Sequence, residues 1–435
     1  MKVVIVGVGH VGLIQAATLA KAGHDVVGLD DDDRKMELLL QGRAPFYEPG
    51  LQELMDEVIS SGKLTFTKDP SKAVPGADIA FICVGTPSRP DGEANLLAVE
   101  RAAETVGRSA DGDLVIVQKS TVPVQTADRV KVMLRSTSSH DFQLVSNPEF
   151  LKEGSAVEDS LHPDRILVGS DDPKAHKVMR KLYEPFLTGD VQYHATDVRT
   201  AELAKHACNA FLALKISFAN GLARVCEAAG ADVVSVADIM GTDPRIGRAF
   251  LNAGLGYGGY CFPKDVAAFK AQAARLGYDF ALLEEVMNIN RQALDSAFAK
   301  VKDAVWNLEE KRIVMLGLSF KPGTDDVRES PALYLADMLI KAGATVIGFD
   351  PQANDEAKIE LPSIEVSDDP YAAAEGAHCV VVATDWPEFK DLDLPRLKGV
   401  MTHPIIVDAR NLLDPEAVAD AGFTYIPTGR PAINT

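Results

Sequence analysis

Two stretches at opposite ends of the chain carry nearly the same pattern. LAKAGHDVVGLD at 19–30 and LIKAGATVIGFD at 339–350 agree at Leu, Lys, Ala, Gly, Val, Gly and Asp. A second pair follows in the same order, PGADIAFICVGTP at 75–87 and EGAHCVVVATDWP at 375–387. Around the first pair the residues predict a strand at 3–6, a helix at 11–22 and a strand at 25–29. Short apolar runs recur at 79–84, 114–118 and 142–145, and again at 312–316, 345–349, 379–383 and 405–407. Strands alternating with helical stretches give the rhythm of a parallel sheet covered on both faces. Unrelated βαβ units also share Gly and Val, but two matches in one order point to a repeated unit.

The chain therefore reads as two Rossmann-like, doubly wound α/β domains in 435 residues, a length that itself suggests two or three units. Between them the proline-free run 199–229 predicts one helix, roughly 45 Å long if unbroken. Its apolar residues lie on more than one face and need packing from several sides. It is expected to join the two domains and to contact a second subunit. The expected division is an N-terminal domain 1–198, an all-α dimerisation region 199–300 and a C-terminal domain 301–435.

The net charge is −19, from 44 basic and 63 acidic residues. A chain this acidic has no general attraction for nucleic acid or an anionic membrane, so an anionic substrate must be held by local cations and backbone N–H groups. No apolar run is long enough to predict a membrane span, and MKVVIVGVG begins a strand without a signal-peptide core. The cysteines at 83, 208, 226, 261 and 379 are odd in number, scattered and without a C-x-x-C pair. That argues against a disulfide framework or a zinc site, and for a reduced, cytoplasmic protein with no metal. Most of these thiols are expected to be small buried hydrophobes.

Gly7-x-Gly9-x-x-Gly12 follows a predicted strand and opens a helix. Gly7 permits the tight turn, Gly9 lets backbone approach a pyrophosphate, and Gly12 allows close helix–strand packing. Asp30 closes the next strand, where it can accept hydrogen bonds from ribose hydroxyls. Asp31, Asp32 and Asp33 would repel a 2′-phosphate, which favours NAD, although Arg34 and Lys35 stand beside them. A glycine turn without a cofactor is the alternative. The second half keeps Gly317 and Asp350 but reads LGLSFKPGTDD, so it is suited to a different phosphate ligand.

Cys261 lies in GLGYGGYCFPKD (254–265), where clustered glycines let backbone come close to a ligand and Lys264 and Asp265 follow. A nearby cation favours the thiolate, and an NAD enzyme with a nucleophilic cysteine suggests aldehyde oxidation through a thioester. A buried, inert thiol is the other reading. Lys205 and Asn209, four apart on the long helix, can aim together at an oxyanion or form an ordinary solvated face. The segments 147–153 and 319–328 stand at ligand-binding loop positions of their sheets, or are plain loops.

Together these residues resemble the UDP-glucose/GDP-mannose dehydrogenase superfamily, on its UDP-glucose side. The resemblance covers essentially the whole chain. It rests on GVGHVG (7–12), FICVGTP (81–87), KSTVP (119–123), NPEFLKEGSA (147–156), HPDRILVG (162–169), AELAKHACNAFLALKISFAN (201–220), the glycine–cysteine loop and LGLSFKPGTDDVRESP (316–331).

The resemblance implies a division of labour among the domains. The N-terminal domain would bind NAD, the central region would carry the cysteine loop, and the C-terminal domain would bind UDP-sugar. By the same resemblance, UDP-glucose would be oxidised at C6 to UDP-glucuronate through a Cys261 thiohemiacetal and thioester. Lys205 and Asn209 would stabilise oxyanions, with Thr121, Glu149 and Asp265 serving water and proton transfer. Besides Gly7, Gly9 and Gly12, the cofactor positions would be Val11, Asp30, Lys35, Thr86, Thr121, Glu153, Lys264 and Arg328. The substrate would meet Glu149, Phe150, Leu151, Lys152 and Glu153, then Lys205 and Asn209, and then Phe250, Leu251, Asn252, Ala253, Gly254, Gly258 and Lys321. Arg245 matches an arginine that reaches the partner subunit's substrate, and Arg410 a uridine-side contact. Tyr260 stands where many members carry serine. GDP-mannose, UDP-N-acetylglucosamine and UDP-galactose remain alternative sugars, and a non-catalytic nucleotide-sugar regulator is the alternative of another class.

Overall fold

A computed structural model describes residues 1–434. The first sheet has eight strands: β1 Lys2–Val6, β2 Asp25–Leu29, β3 Leu64–Thr67, β4 Ile79–Ile82, β5 Leu114–Gln118, β6 Phe142–Ser146, β7 Arg165–Gly169 and β8 Gln192–Thr196. Their order is β3-β2-β1-β4-β5-β6-β7-β8. The second sheet has β9 Arg312–Leu316, β10 Thr345–Phe349, β11 Glu365–Val366, β12 Cys379–Val382, β13 Ile405–Asp408 and β14 Thr424–Pro427, in the order β11-β10-β9-β12-β13-β14. The first six strands of one sheet and all six of the other thus share the 3-2-1-4-5-6 order of the dinucleotide-binding fold. All pairings are parallel except β6 with β7, where one residue pair, Ser146 and Gly169, meets antiparallel.

Alternation along each strand divides the core between two faces. Val3 and Ile5 of β1, Phe81 of β4 and Val117 of β5 face one apolar layer, while Val4 and Val6, Ile82 and Ile116 face the other. In the second sheet Ile313 and Met315 oppose Val314 and Leu316 in the same way. Burying such a side chain fully is worth about 1.5–3 kcal/mol, which both faces collect only when helices cover them.

The repeat extends to single hydrogen bonds. Gly7 N–H donates to Leu29 O at 2.8 Å, and Gly317 N–H to Phe349 O at 2.8 Å. Val8 N–H donates to Asp30 and Leu318 N–H to Asp350, at 2.8 and 2.7 Å.

Backbone proximity divides the chain into two compact units, 1–208 with 267–278, and 209–266 with 279 onward. The predicted long helix is observed as Val198–Ala229 and contributes to both units. Among the described residues no helix is long and apolar enough to cross a membrane.

Candidate active site

The first glycine loop joins β1 to the helix His10–Lys21. Gly7 has φ +87°, and a Cβ on Gly12 would lie 1.9 Å from the Gly7 carbonyl oxygen, so this turn excludes any side chain at either position. A Cβ on Gly9 would meet nothing within 4 Å, which leaves that backbone open to a ligand. Gly7, Gly9, Asp30, Lys35, Lys68 and Arg101 line a cleft of 660 Å³, a size that suits a nucleotide cofactor. Asp30 accepts Val8 N and Lys35 Nζ at 2.8 Å each and Asp32 N at 3.0 Å. A carboxylate has roughly four acceptor sites, so one is left for a ribose hydroxyl. These features fit NAD.

The acidic run beside Asp30 is less bare than the sequence suggests. Asp32 caps the helix Asp33–Leu40 through Lys35 N, and Asp33 pairs with Lys68. Val11 lies in the first turn of the loop's helix, half-buried. Thr86 is buried and its hydroxyl donates to the Thr121 carbonyl at 3.0 Å, bringing two of the expected positions together.

The repeated loop has lost this openness. Ser319 occupies the place of Gly9, fully buried, and its hydroxyl donates to Asp350 at 3.0 Å. Trp386 Nε1 donates to the same oxygen at 3.1 Å, and Gln352 N and Ala353 N fill the other. Asp350 is therefore used by its own domain. Lys321, four residues after Gly317, lies 5.3 Å from the centre of the Phe320 ring.

In the same unit as the cofactor cleft, Lys205 Nζ stands 2.9 Å from Glu149 Oε1, both side chains buried. Leu151 N–H donates to the other Glu149 oxygen at 2.6 Å. Burial alone would raise the Glu149 pKa. The Lys205 ammonium, the Leu151 N–H and Lys119 outweigh it, and hold the carboxyl below the usual range. Lys205 also lies 5.3 Å from the Phe150 ring, which Arg165 covers at 4.0 Å. Of the remaining loop residues, Leu151 and Glu153 are half-buried, and Lys152 is exposed with its ammonium 3.1 Å from Asp159. Sequence reasoning passed over Lys119, the first residue of KSTVP. It is buried, donates to Asn147 Oδ1 at 3.2 Å, and is lowered by burial to about 8.

In the second unit, Cys261 is half-buried at the N-cap of the helix Phe262–Arg275, whose first hydrogen bond runs from Asp265 N to its carbonyl at 2.9 Å. A helix N-terminus favours negative charge, so this position suits a thiolate. Asn209 Nδ2 donates to Asp265 Oδ2 at 2.6 Å, and Lys264 pairs with Asp265 Oδ1. The other cysteines differ. Burial pushes the Cys83 and Cys379 thiols up to about 12 and raises Cys226. Cys208, expected to be buried, is half-buried on the long helix because it sits beside the exposed face that carries Ala207 and Phe211.

Tyr260 takes a defined role in packing: its ring lies 5.4 Å from Lys264 Nζ and 4.5 Å from the Arg328 guanidinium. Arg328 is also fastened to Asp326 at 2.8 and 2.6 Å. Arg245 is exposed and paired with Asp243, and Asn252 accepts from Arg248 at 2.7 Å. Phe250 has φ +64°, a strained backbone for a bulky residue, while Leu251, Ala253, Gly254 and Gly258 are buried. Gly254 N–H donates to Asn220 Oδ1 at 2.7 Å, and a Cβ there would stand 3.2 Å from Arg410 Nη1. Asn220 Nδ2 and Arg410 Nη2 are buried donors with no acceptor among the described residues. Two such donors flanking one glycine fit a ligand rich in carbonyl or phosphate oxygens. Asn220 was not singled out from the sequence, where it is one more amide on a helix.

Comparison with known proteins shows the family. Models of the UDP-glucose/GDP-mannose dehydrogenase family match in succession: its NAD binding domain over residues 1–187, its central domain over 199–292 and its UDP binding domain over 314–415. The UDP-glucose 6-dehydrogenase of Rhizobium meliloti is 44% identical, over 99% of this chain and 100% of the relative. The UDP-glucose 6-dehydrogenase TuaD of Bacillus subtilis is 42% identical, over 99% of this chain and 94% of the relative. A solved UDP-glucose dehydrogenase from the hyperthermophilic archaeon Pyrobaculum islandicum superposes with a TM-score of 0.92 at 37% identity, covering 99% of this chain and 98% of that one. The chain belongs to the UDP-glucose/GDP-mannose dehydrogenase family, with NAD as its cofactor.

Proposed function

We propose that the chain oxidises UDP-glucose at C6 to UDP-glucuronate in two steps, with Cys261 as the nucleophile. The observation that carries this reading is the half-buried Cys261 at a helix N-cap, at the head of the helix that carries the buried Asp265 to which Asn209 donates. NAD, when bound, supplies the hydride acceptor. The alcohol first loses a hydride and a proton to give an aldehyde. The Cys261 thiolate then adds to the aldehyde carbon, and the adduct takes up a proton. Loss of a second hydride and a proton leaves a thioester, which water cleaves to the acid and the free thiol. The balance is one alcohol, one water and two NAD⁺ in; one carboxylate, two NADH and three protons out.

Lys205 and Asn209 are the donors for the oxyanions, and Glu149 holds the Lys205 ammonium in place beforehand. A water held by Thr121 or Asp265 takes the first proton. The residues expected from the resemblance around NAD and the sugar keep those roles here, within the functional division 1–198, 199–300 and 301–435. UDP-glucose is favoured over other sugars because relatives bearing that name reach 44% identity. Structures of dehydrogenases named for UDP-N-acetylmannosamine stand at 30% and 26%. Free thiols favour the cytoplasm as the enzyme's compartment.

The working unit is a homodimer or a higher homo-oligomer. Phe211, Phe218 and Val225 are all exposed on the helix Val198–Ala229, and their seven-residue spacing puts them in one stripe, the pattern of a helix that packs on a second copy. Sedimentation at working concentration should give a dimer or a larger assembly; a monomer alone would remove this part of the reading.

The reaction is tested by counting NADH against UDP-glucose consumed. Two NADH with UDP-glucuronate as product is the expected result, and one NADH with aldehyde as end product would defeat it. A panel of nucleotide sugars should show UDP-glucose with the highest kcat/KM.

A further inference from the structure

The glycine loop ahead of Cys261 is fastened by one side chain from a distant part of the sequence. Asn290 lies on the helix Ala281–Val305. Its Oδ1 accepts Tyr257 N–H at 2.8 Å, and its Nδ2 donates to the Tyr257 carbonyl at 3.0 Å. One amide therefore satisfies both backbone polar groups of a loop residue that has no strand neighbour. The fit is close. Gly256 has φ +101°, and a Cβ there would stand 2.5 Å from Asn290 Oδ1. Further along, a Cβ on Gly258 would meet the Glu329 carbonyl at 2.2 Å, and one on Gly259 the Phe320 ring at 2.7 Å. The segment from Gly256 to Gly259 has little freedom, and Cys261 follows two residues after Gly259.

We propose that Asn290 is a positioning residue for Cys261: by holding Tyr257 it sets where the sulfur stands, and so whether the aldehyde is captured or escapes. This role rests on Cys261 being the nucleophile and deepens that reading. The first oxidation breaks a C–H and an O–H bond of the alcohol and needs no sulfur. The second needs a C–S bond, formed by the thiolate on the aldehyde carbon. A displacement of about 1 Å in such a group costs on the order of 10²-fold in rate. Loosening the loop therefore slows capture and leaves the first step running, so that aldehyde dissociates after one hydride has been transferred.

Aspartate at 290 keeps the size and the acceptor for Tyr257 N–H but faces the Tyr257 carbonyl with a second oxygen. Alanine removes both bonds and leaves a gap. The experiment uses the full chain with UDP-glucose and NAD, and compares wild type, Asn290→Asp and Asn290→Ala. It reads NADH formed per UDP-glucose consumed, aldehyde trapped by hydroxylamine, and melting temperature. The expected result is a ratio that falls from two towards one in both variants, with aldehyde trapped and with the first-step rate reduced less than about tenfold. A variant that keeps a ratio of two, whatever its melting temperature, overturns the proposal. A ratio of one in the wild type would instead defeat the Cys261 reading itself.

Discussion

Asn209 Nδ2 and Asp265 Oδ2 meet at 2.6 Å with both side chains buried, joining the long helix to the helix that Cys261 caps. Exchanging the amide for a carboxyl at this spot places two acids within hydrogen-bond reach, where both cannot ionise. Asn209→Asp should lower stability at pH 8 by about 3 kcal/mol or more, the scale of an uncompensated buried charge. The new carboxyl has a raised folded-state pKa, so stability should return as pH falls. Urea midpoints at pH 8 and pH 5.5 measure the difference.

The Glu149–Lys205 pair is buried on both sides. Lys205→Met removes an oxyanion donor and strands a buried carboxylate. We expect kcat to fall by about 10²–10³, from the donor alone, and stability to fall by about 3–5 kcal/mol. Adding Glu149→Gln should restore much of the stability and none of the rate. Denaturation and initial-rate measurements on the single and double variants separate the two effects.

Glu202 tests the electrostatics away from the chemistry. It is buried, accepts Gln125 N–H at 2.9 Å and Ala127 N–H at 3.2 Å, and so caps the helix Thr126–Thr137 from far along the chain. Burial raises its pKa to about 7, against the backbone hydrogen bonds. The folded state then binds more protons than the unfolded state between about pH 4.5 and 7, so this group's contribution to stability declines as pH rises through that window. Glu202→Gln should flatten that slope. Melting temperatures of both proteins from pH 4.5 to 8 check it, as a difference between the two curves.

For the cofactor, Gly12→Ala forces a methyl against the Gly7 carbonyl. NAD binding should be lost together with several degrees of melting temperature, because the helix must leave the strand. Asp30→Ser should be milder: NAD affinity falls about tenfold, for one charge-assisted hydrogen bond of about 1.5 kcal/mol, with NADP affected less. Titration of intrinsic fluorescence with each nucleotide distinguishes these outcomes.

The interior of the fold was legible because β1, β4, β5, β9 and β12 are buried on both faces and so read as unbroken apolar runs. The strands not predicted include β3, β8, β11 and β14, and all four are sheet edges. There one face or the ladder itself meets solvent: β8 reads QYHAT with no buried residue, β11 has two residues, and β14 ends in proline. β7, RILVG, was seen as a motif but not as a strand, and its single antiparallel contact with β6 has no signature in composition. At the candidate site, Cys261 and the glycine loop stood out because their residue types are unusual in sequence. Lys119, Asn220 and Asn290 did not, since a lysine just past a strand or an amide on a helix becomes informative only when its buried partner is known.

The chemistry proposed for this chain stands or falls on a bond between carbon and the Cys261 sulfur. The direct measurement is peptide mapping, by mass spectrometry, of Asp265→Asn protein acid-quenched while turning over UDP-glucose and NAD. This variant keeps the size of the side chain and removes the charge expected to serve water and proton transfer, so thioester hydrolysis should slow and the thioester accumulate. A UDP-glucuronyl adduct is expected on the peptide containing Cys261 and on no other cysteine peptide. An adduct at a different residue, or none at any cysteine while NADH continues to form, would contradict a Cys261 nucleophile.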